Sequence, residues 1–208
     1  MQVIIDGEPG YKIKGVRPTI ASVLAEVGEH LVAEGRGILG ITADGQDIRP
    51  DRLAEVIEEL GSRPIDVIEI KSESLLTMVK EILDDILTVV PELSEACHQL
   101  GEVFQGPSPN SGIQQFHQLA EIWAAIKVRQ QQVAEALGLD LAGVILNSEP
   151  ISKHHEELNR YLDEAADALA VMDCVLLGDL LEYELAPRAE QEVTIIMILQ
   201  KFLRERAG

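Results

Sequence analysis

The chain has 208 residues, 46% hydrophobic and 25% charged, and 36 acids against 17 bases give it a net charge of −19. These are ordinary globular proportions, so a disordered chain is not the expectation. The charge repels phosphate backbones and anionic lipid, so no nucleic-acid or membrane partner is expected. The densest cationic stretch, Lys127 to Arg129, holds only two charges.

Val3–Ile5 followed by Asp6-Gly7-Glu8-Pro9-Gly10 predicts a strand entering a turn, and Tyr11–Gly15 a returning strand. Thr19 can cap a helix carrying Ile20, Val23, Leu24, Val27 and Leu31 at helical spacing, ended by Gly35 and Gly37. Ile38–Thr42 predicts a strand, Asp44-Gly45 a hairpin turn and Ile48 a short return strand. A short helix from Pro50 to Gly61 and a last strand over Ile65–Ile70 complete this part. That element order resembles the β-grasp, or ubiquitin-like, fold over residues 1–72. The resemblance implies that the first and last strands pair at the sheet centre. Conjugation and sulfur-carrier roles are not expected, because the chain continues from Lys71 into a helix without a Gly-Gly tail.

From Ser74 the period changes from 2 to about 3.5. Leu75, Val79, Ile82, Ile86, Val89, Leu93, Cys97 and Leu100 form one apolar stripe, in which Pro91 predicts a kink or a split. Gly106–Gly112 is a loop. Helical spacing resumes with Ile113, Phe116, Ala120, Trp123, Ile126, Val133 and Leu137. A third helix is expected from Ile151 and a fourth over Asp173–Arg206, with Pro187 as a kink. The expected architecture is therefore α+β: a β-grasp-like domain over 1–72 and an antiparallel helical bundle of about four long helices over 73–208. Residues 73–208 carry 23 acids and 9 bases, net −14, against net −5 for residues 1–72.

The chemistry-bearing candidates are few. Glu95-Ala-Cys-His98 supplies one half of a di-metal carboxylate motif. The other half would be Gln114-Gln115-Phe116-His117, which has glutamine where a carboxylate is required. Adjacent His154 and His155 point about 100° apart on a helix and read as a solvated helix start. No nucleophile elbow, phosphate loop or dinucleotide fingerprint occurs. Cys97 and Cys174 stand apart and read as buried small hydrophobes of a reduced, cytoplasmic protein. The N-terminus lacks the features of a signal peptide. No cofactor or metal is expected.

The segment Asp173–Pro187 packs leucines among acids. Leu177, Leu180, Leu181, Tyr183 and Leu185 are the candidate partner-binding residues, with Tyr183 as the anchor. The competing reading is a bundle helix with a solvated acidic face. Leu176–Pro187, together with Ile5-Asp6-Gly7, resembles uncharacterised bacterial proteins, some encoded near motility genes. The acidic helical half is similar in type to flagellar export chaperones. These resemblances imply a bacterial, cytosolic, non-enzymatic adaptor or chaperone that binds another protein. The alternatives are a metal-dependent bundle enzyme using Glu95 and His98, and a structural homodimer.

Overall fold

The computed structural model describes residues 1–13, 19–48, 55 and 65–207. The protein is mixed α+β, and its internal contacts divide it into two compact units, Met1–Met78 and Val79–Gly208.

The first unit is a five-stranded mixed sheet with one long helix. Strands β1 (Gln2–Ile5), β2 (Glu8–Pro9), β3 (Arg36–Ala43), β4 (Gln46–Ile48) and β5 (Val67–Ser74) lie in the order β2-β1-β5-β3-β4. β1 runs parallel to β5 at the sheet centre, and the other pairings are antiparallel. Helix α1 (Ile20–Ala33) starts on a reciprocal cap: Thr19 Oγ1 accepts from the Ser22 N–H, and Ser22 Oγ accepts from the Thr19 N–H. Its buried face of Ile20, Val23, Val27 and Leu31 meets Val3, Ile68 and Ile70 of the central strands.

Both hairpin turns have an aspartate and a glycine at positive φ, Asp6-Gly7 and Asp44-Gly45, as a two-residue hairpin loop requires. Each aspartate then ties down one end of β5. Asp44 Oδ1 accepts from the backbone of Asp66 and Val67 at 3.0 and 2.8 Å. Asp6 accepts from the Ser72 N–H at 2.7 Å, the Ser72 hydroxyl at 2.6 Å and Arg36 at 3.0 Å. The Ser72 bonds, more than the arginine, hold the Asp6 carboxyl below its usual range.

Two expectations are corrected in this unit. The returning strand pairs only through Glu8–Pro9; Tyr11–Ile13 are outside the sheet, because the ladder ends at Ile4↔Pro9. β5 runs on to Ser74, past the boundary expected after Ser72. The short helix expected over 50–61 lies outside the described residues, Glu55 excepted.

The second unit is built from α2 (Leu75–Gln105), α3 (Ile113–Ala136), α4 (Ile151–Ala170), α5 (Cys174–Asp179) and α6 (Ala186–Ala207). The buried residues of α2 are Val79, Leu83, Ile86, Val90, Leu93, Cys97, Leu100 and Phe104, with Gly101 beside them. Their alternating spacing of four and three is the 3.5-residue period of a packed helix seam. α2 continues through Pro91 without splitting. A 3₁₀ turn at Pro109–Gly112 leads to α3.

Cross-helix pairs give the directions. Asp84 meets Gln200, Ser94 meets Glu190 and Gln105 meets Asp179, so α2 runs antiparallel to the α5–α6 segment. Lys127 meets Asn159 and Gln130 meets His155, so α3 and α4 are antiparallel. Between α3 and α4 a small hairpin, β6 (Ile145–Leu146) and β7 (Glu149–Pro150), turns through Asn147 and Ser148 at positive φ.

α5 joins α6 through a π-helical segment, Leu180–Leu185. Pro187, expected to kink this helix, lies two residues beyond that segment, after Ala186. Proline lacks an N–H and clashes with the carbonyl four residues back, and a widened turn relieves both demands. Arg188 Nη1 donates to the Glu184 carbonyl at 2.8 Å, supplying a donor within that turn. Among the described residues no helix is long and apolar enough to cross a membrane.

Candidate functional site

The residues expected to bind a partner separate into two groups. Leu177, Leu180, Leu181 and Leu185 are buried in the core of the helical unit, facing its other helices. Tyr183 is 64% exposed. The leucine-rich, acid-rich pattern is therefore that of a helix with a buried apolar face and a solvated acidic one.

A polar cluster lies inside the unit, on three helices. The core stripe of α3 reads Phe116, Leu119, Trp123, Ile126, Gln130, Val133, and that of α6 reads Ala189, Glu192, Ile196, Leu199, Leu203. Gln130 and Glu192 thus occupy core positions. Gln130 Nε2 donates to Glu192 Oε2, and Gln130 Oε1 lies 2.7 Å from His155 Nε2 on α4. With the amide oriented by the carboxylate, its oxygen accepts from a neutral imidazole N–H. Burial pushes His155 down to about 4, with the Lys127 charge adding to the effect. Burial likewise pushes Glu192 up to about 7 against the opposing pull of Gln130 and Lys127. Lys127, half-buried and lowered by burial, donates to Asn159 Oδ1. The indole N–H of Trp123 is buried without a partner among the described residues.

His155 is therefore not part of a solvated helix start. Its place on α4, four residues after Ile151 and three before Leu158, was the signal available in the sequence, and Gln130 and Glu192 carried the same stripe signal. Glu192 is 3% exposed and Gln130 fully buried, so both lie within the packed core. Polar groups at core heptad positions lower stability and specify which helices pair and in what register. The cluster fits that structural role.

Glu95 and His98, the metal alternative, are both exposed. Glu95 accepts from Gln99 at 2.7 Å. Among the described residues no group of three or more His, Cys, Asp or Glu could hold a metal ion. Cys97 is buried and its thiol is pushed up to about 12, which leaves it unreactive.

Two surface features remain. One is the corner between α4 and α5, where Val171, Met172, Val175 and Leu176 are exposed. The other is a groove of about 360 Å³ along α2 and α3. Leu93, Leu100 and Leu119 form its floor, Val89 and Ile122 its partly exposed walls (39% and 37%), and Gln99, Gln115 and Gln118 its polar edge. Sequence reasoning assigned Val89 to the buried stripe; the neighbouring Val90 takes that place and leaves Val89 at the groove.

This arrangement defines an α+β protein whose helical unit buries Gln130 and Glu192 in an otherwise apolar core and leaves an apolar groove at its surface. Residues 81–192, which hold both the cluster and the groove, match the family described as "Domain of unknown function (DUF8042)", and the chain belongs to that family. No curated protein and no solved structure matches it.

Proposed function

We infer that the chain is a non-enzymatic, protein-binding adaptor of the cytoplasm, with a β-grasp domain followed by an antiparallel helical bundle. The β-grasp reading is supported by the parallel pairing of β1 with β5 at the sheet centre and by α1 packed on that pair. The bundle reading is supported by the antiparallel pairs of α2 with α5–α6 and of α3 with α4.

The observation that carries the binding role is the α2–α3 groove. Its floor is apolar and its edge carries amides and the single carboxylate of Glu92, with no convergent set of titratable groups among its lining residues. Such a trough suits helix-in-groove recognition, in which apolar side chains of a partner helix fill successive positions. The leucines of the Asp173–Pro187 helix support this fold by packing, so the binding role passes from that helix to the groove.

A photo-crosslinking residue placed at Ile122 tests this in cells, with Val128, exposed on the same helix, as the control. A protein adduct is expected from position 122 and not from position 128. Failure to trap a protein at position 122, or equal trapping at both positions, contradicts the reading.

A further inference from the structure

We propose that the α2–α3 groove seats a basic amphipathic helix of a partner protein, its apolar face on Val89, Ala96, Val103 and Ile122 above the buried floor, and its cations over Glu92 and Glu102. This deepens the protein-binding reading and rests on it.

Length argues for a helix. The groove begins at Val89, and a second hollow, sharing Gln99 and Val103 with it, continues past Gly106 to the 106–111 loop. From Val89 to Gly106 the α2 backbone spans about 25 Å, the length of a helix of roughly 17 residues. On α2 the lining residues recur at 89, 92, 93, 96, 99, 100 and 103, the periodicity of one helix face. A second helix laid along that face meets an apolar group at every turn.

Charge argues for a basic partner. α2 carries six carboxylates and one lysine. Glu92 lines the groove and Glu102 lines its continuation. Both are exposed, and neither has an ion pair among the described residues. A Lys- or Arg-bearing helix supplies the missing countercharge, which speeds encounter and fixes orientation. A second copy of this chain is the less favoured occupant, because each copy carries −19 and repels the other.

The test uses the full chain and a dye-labelled 18-residue peptide with leucine at helical i, i+3, i+4, i+7 spacing and lysine elsewhere. Anisotropy is compared with a shuffled peptide of the same composition and with an acidic peptide that has glutamate for lysine. The basic amphipathic peptide is expected to bind at least tenfold more tightly than either control, and to weaken at least tenfold from 50 to 300 mM salt. The Val89→Ser/Ile122→Ser variant should lose at least tenfold in affinity. The Glu92→Gln/Glu102→Gln variant, altered only at exposed positions, should bind more weakly at 50 mM salt and show a smaller salt dependence.

Equal binding of the shuffled peptide reduces the effect to electrostatic adsorption and overturns the proposal. Undiminished binding by both variants also overturns it, as does self-association of the chain abolished by the serine variant. Preference for the acidic peptide, lost in the serine variant, overturns the basic-helix inference while the protein-binding reading stands. That reading falls separately, by failure of the position-122 crosslink in cells.

Discussion

The imidazole of His155 and the amide of Gln130 meet at 2.7 Å across α4 and α3, and the other end of the same amide donates to the buried Glu192 of α6. One side chain thus links a histidine held neutral to a carboxyl held toward its protonated form, and the two titrations act on stability in opposite senses.

The Glu192 carboxyl is raised from 4.5 to about 7. Between those values the folded state binds more protons than the unfolded one, so this group's contribution to stability falls as pH rises and is fully lost above pH 7. The shift amounts to at most about 3 kcal/mol. Glu192→Gln keeps an acceptor for Gln130 and removes the titration. Urea unfolding should find the variant about 1–3 kcal/mol more stable than the parent at pH 8 and close to it at pH 5. A difference independent of pH contradicts this assignment.

His155 is lowered from 6.5 to about 4. Below pH 6.5 the unfolded chain gains a proton that the folded one refuses, so stability is present above 6.5 and is lost as pH falls toward 4. In the native chain the protonation of Glu192 offsets this loss over the same interval. Glu192→Gln should therefore expose a decline in Tm between pH 6.5 and 4.5 that the parent lacks. His155→Gln in the same background should flatten it again.

Two glycines mark the close approach of α2 and α5. A methyl at Gly101 would lie 3.3 Å from the Gly178 carbonyl, a backbone atom that cannot move alone. The three atoms nearest a methyl at Gly178 all belong to the Gln105 side chain, at 2.5–2.8 Å, which can swing away after releasing Asp179. Overpacking costs about 1–3 kcal/mol, and exchanging a helical glycine for alanine returns about 1 kcal/mol. Gly101→Ala should lower Tm, and Gly178→Ala should leave it nearly unchanged.

Leu181 and Tyr183 lie two residues apart on the π-helical segment but differ in environment. Leu181→Ala should cost about 2–5 kcal/mol in chemical denaturation, since the leucine is fully buried and leaves a cavity. Tyr183→Ala should stay within about 0.5 kcal/mol.

Much of the fold was legible in local chemistry. Asp6-Gly7 and Asp44-Gly45 announced both hairpins, and Thr19 announced the start of α1. The α2 stripe was legible at Val79, Ile86, Leu93, Cys97 and Leu100. It was misplaced at Ile82 and Val89, because the adjacent pairs Ile82-Leu83 and Val89-Val90 satisfy periods of 3.5 and 3.6 alike. The α3 stripe was traced from Ile126 straight to Val133, passing over Gln130. In a chain with 36 acids a buried Glu192 looks like any other glutamate until its place between Ala189 and Ile196 is weighed. The groove was not legible, because it depends on the spacing between two helices, and a sequence pattern gives only the face that each one buries.

Hydrogen–deuterium exchange of the full chain, with and without the basic amphipathic peptide at saturation, locates the bound helix. Protection is expected to be confined to residues 89–106 of α2 with its following turn and 113–122 of α3. Protection over 171–183, or no protection at saturating peptide, would contradict it.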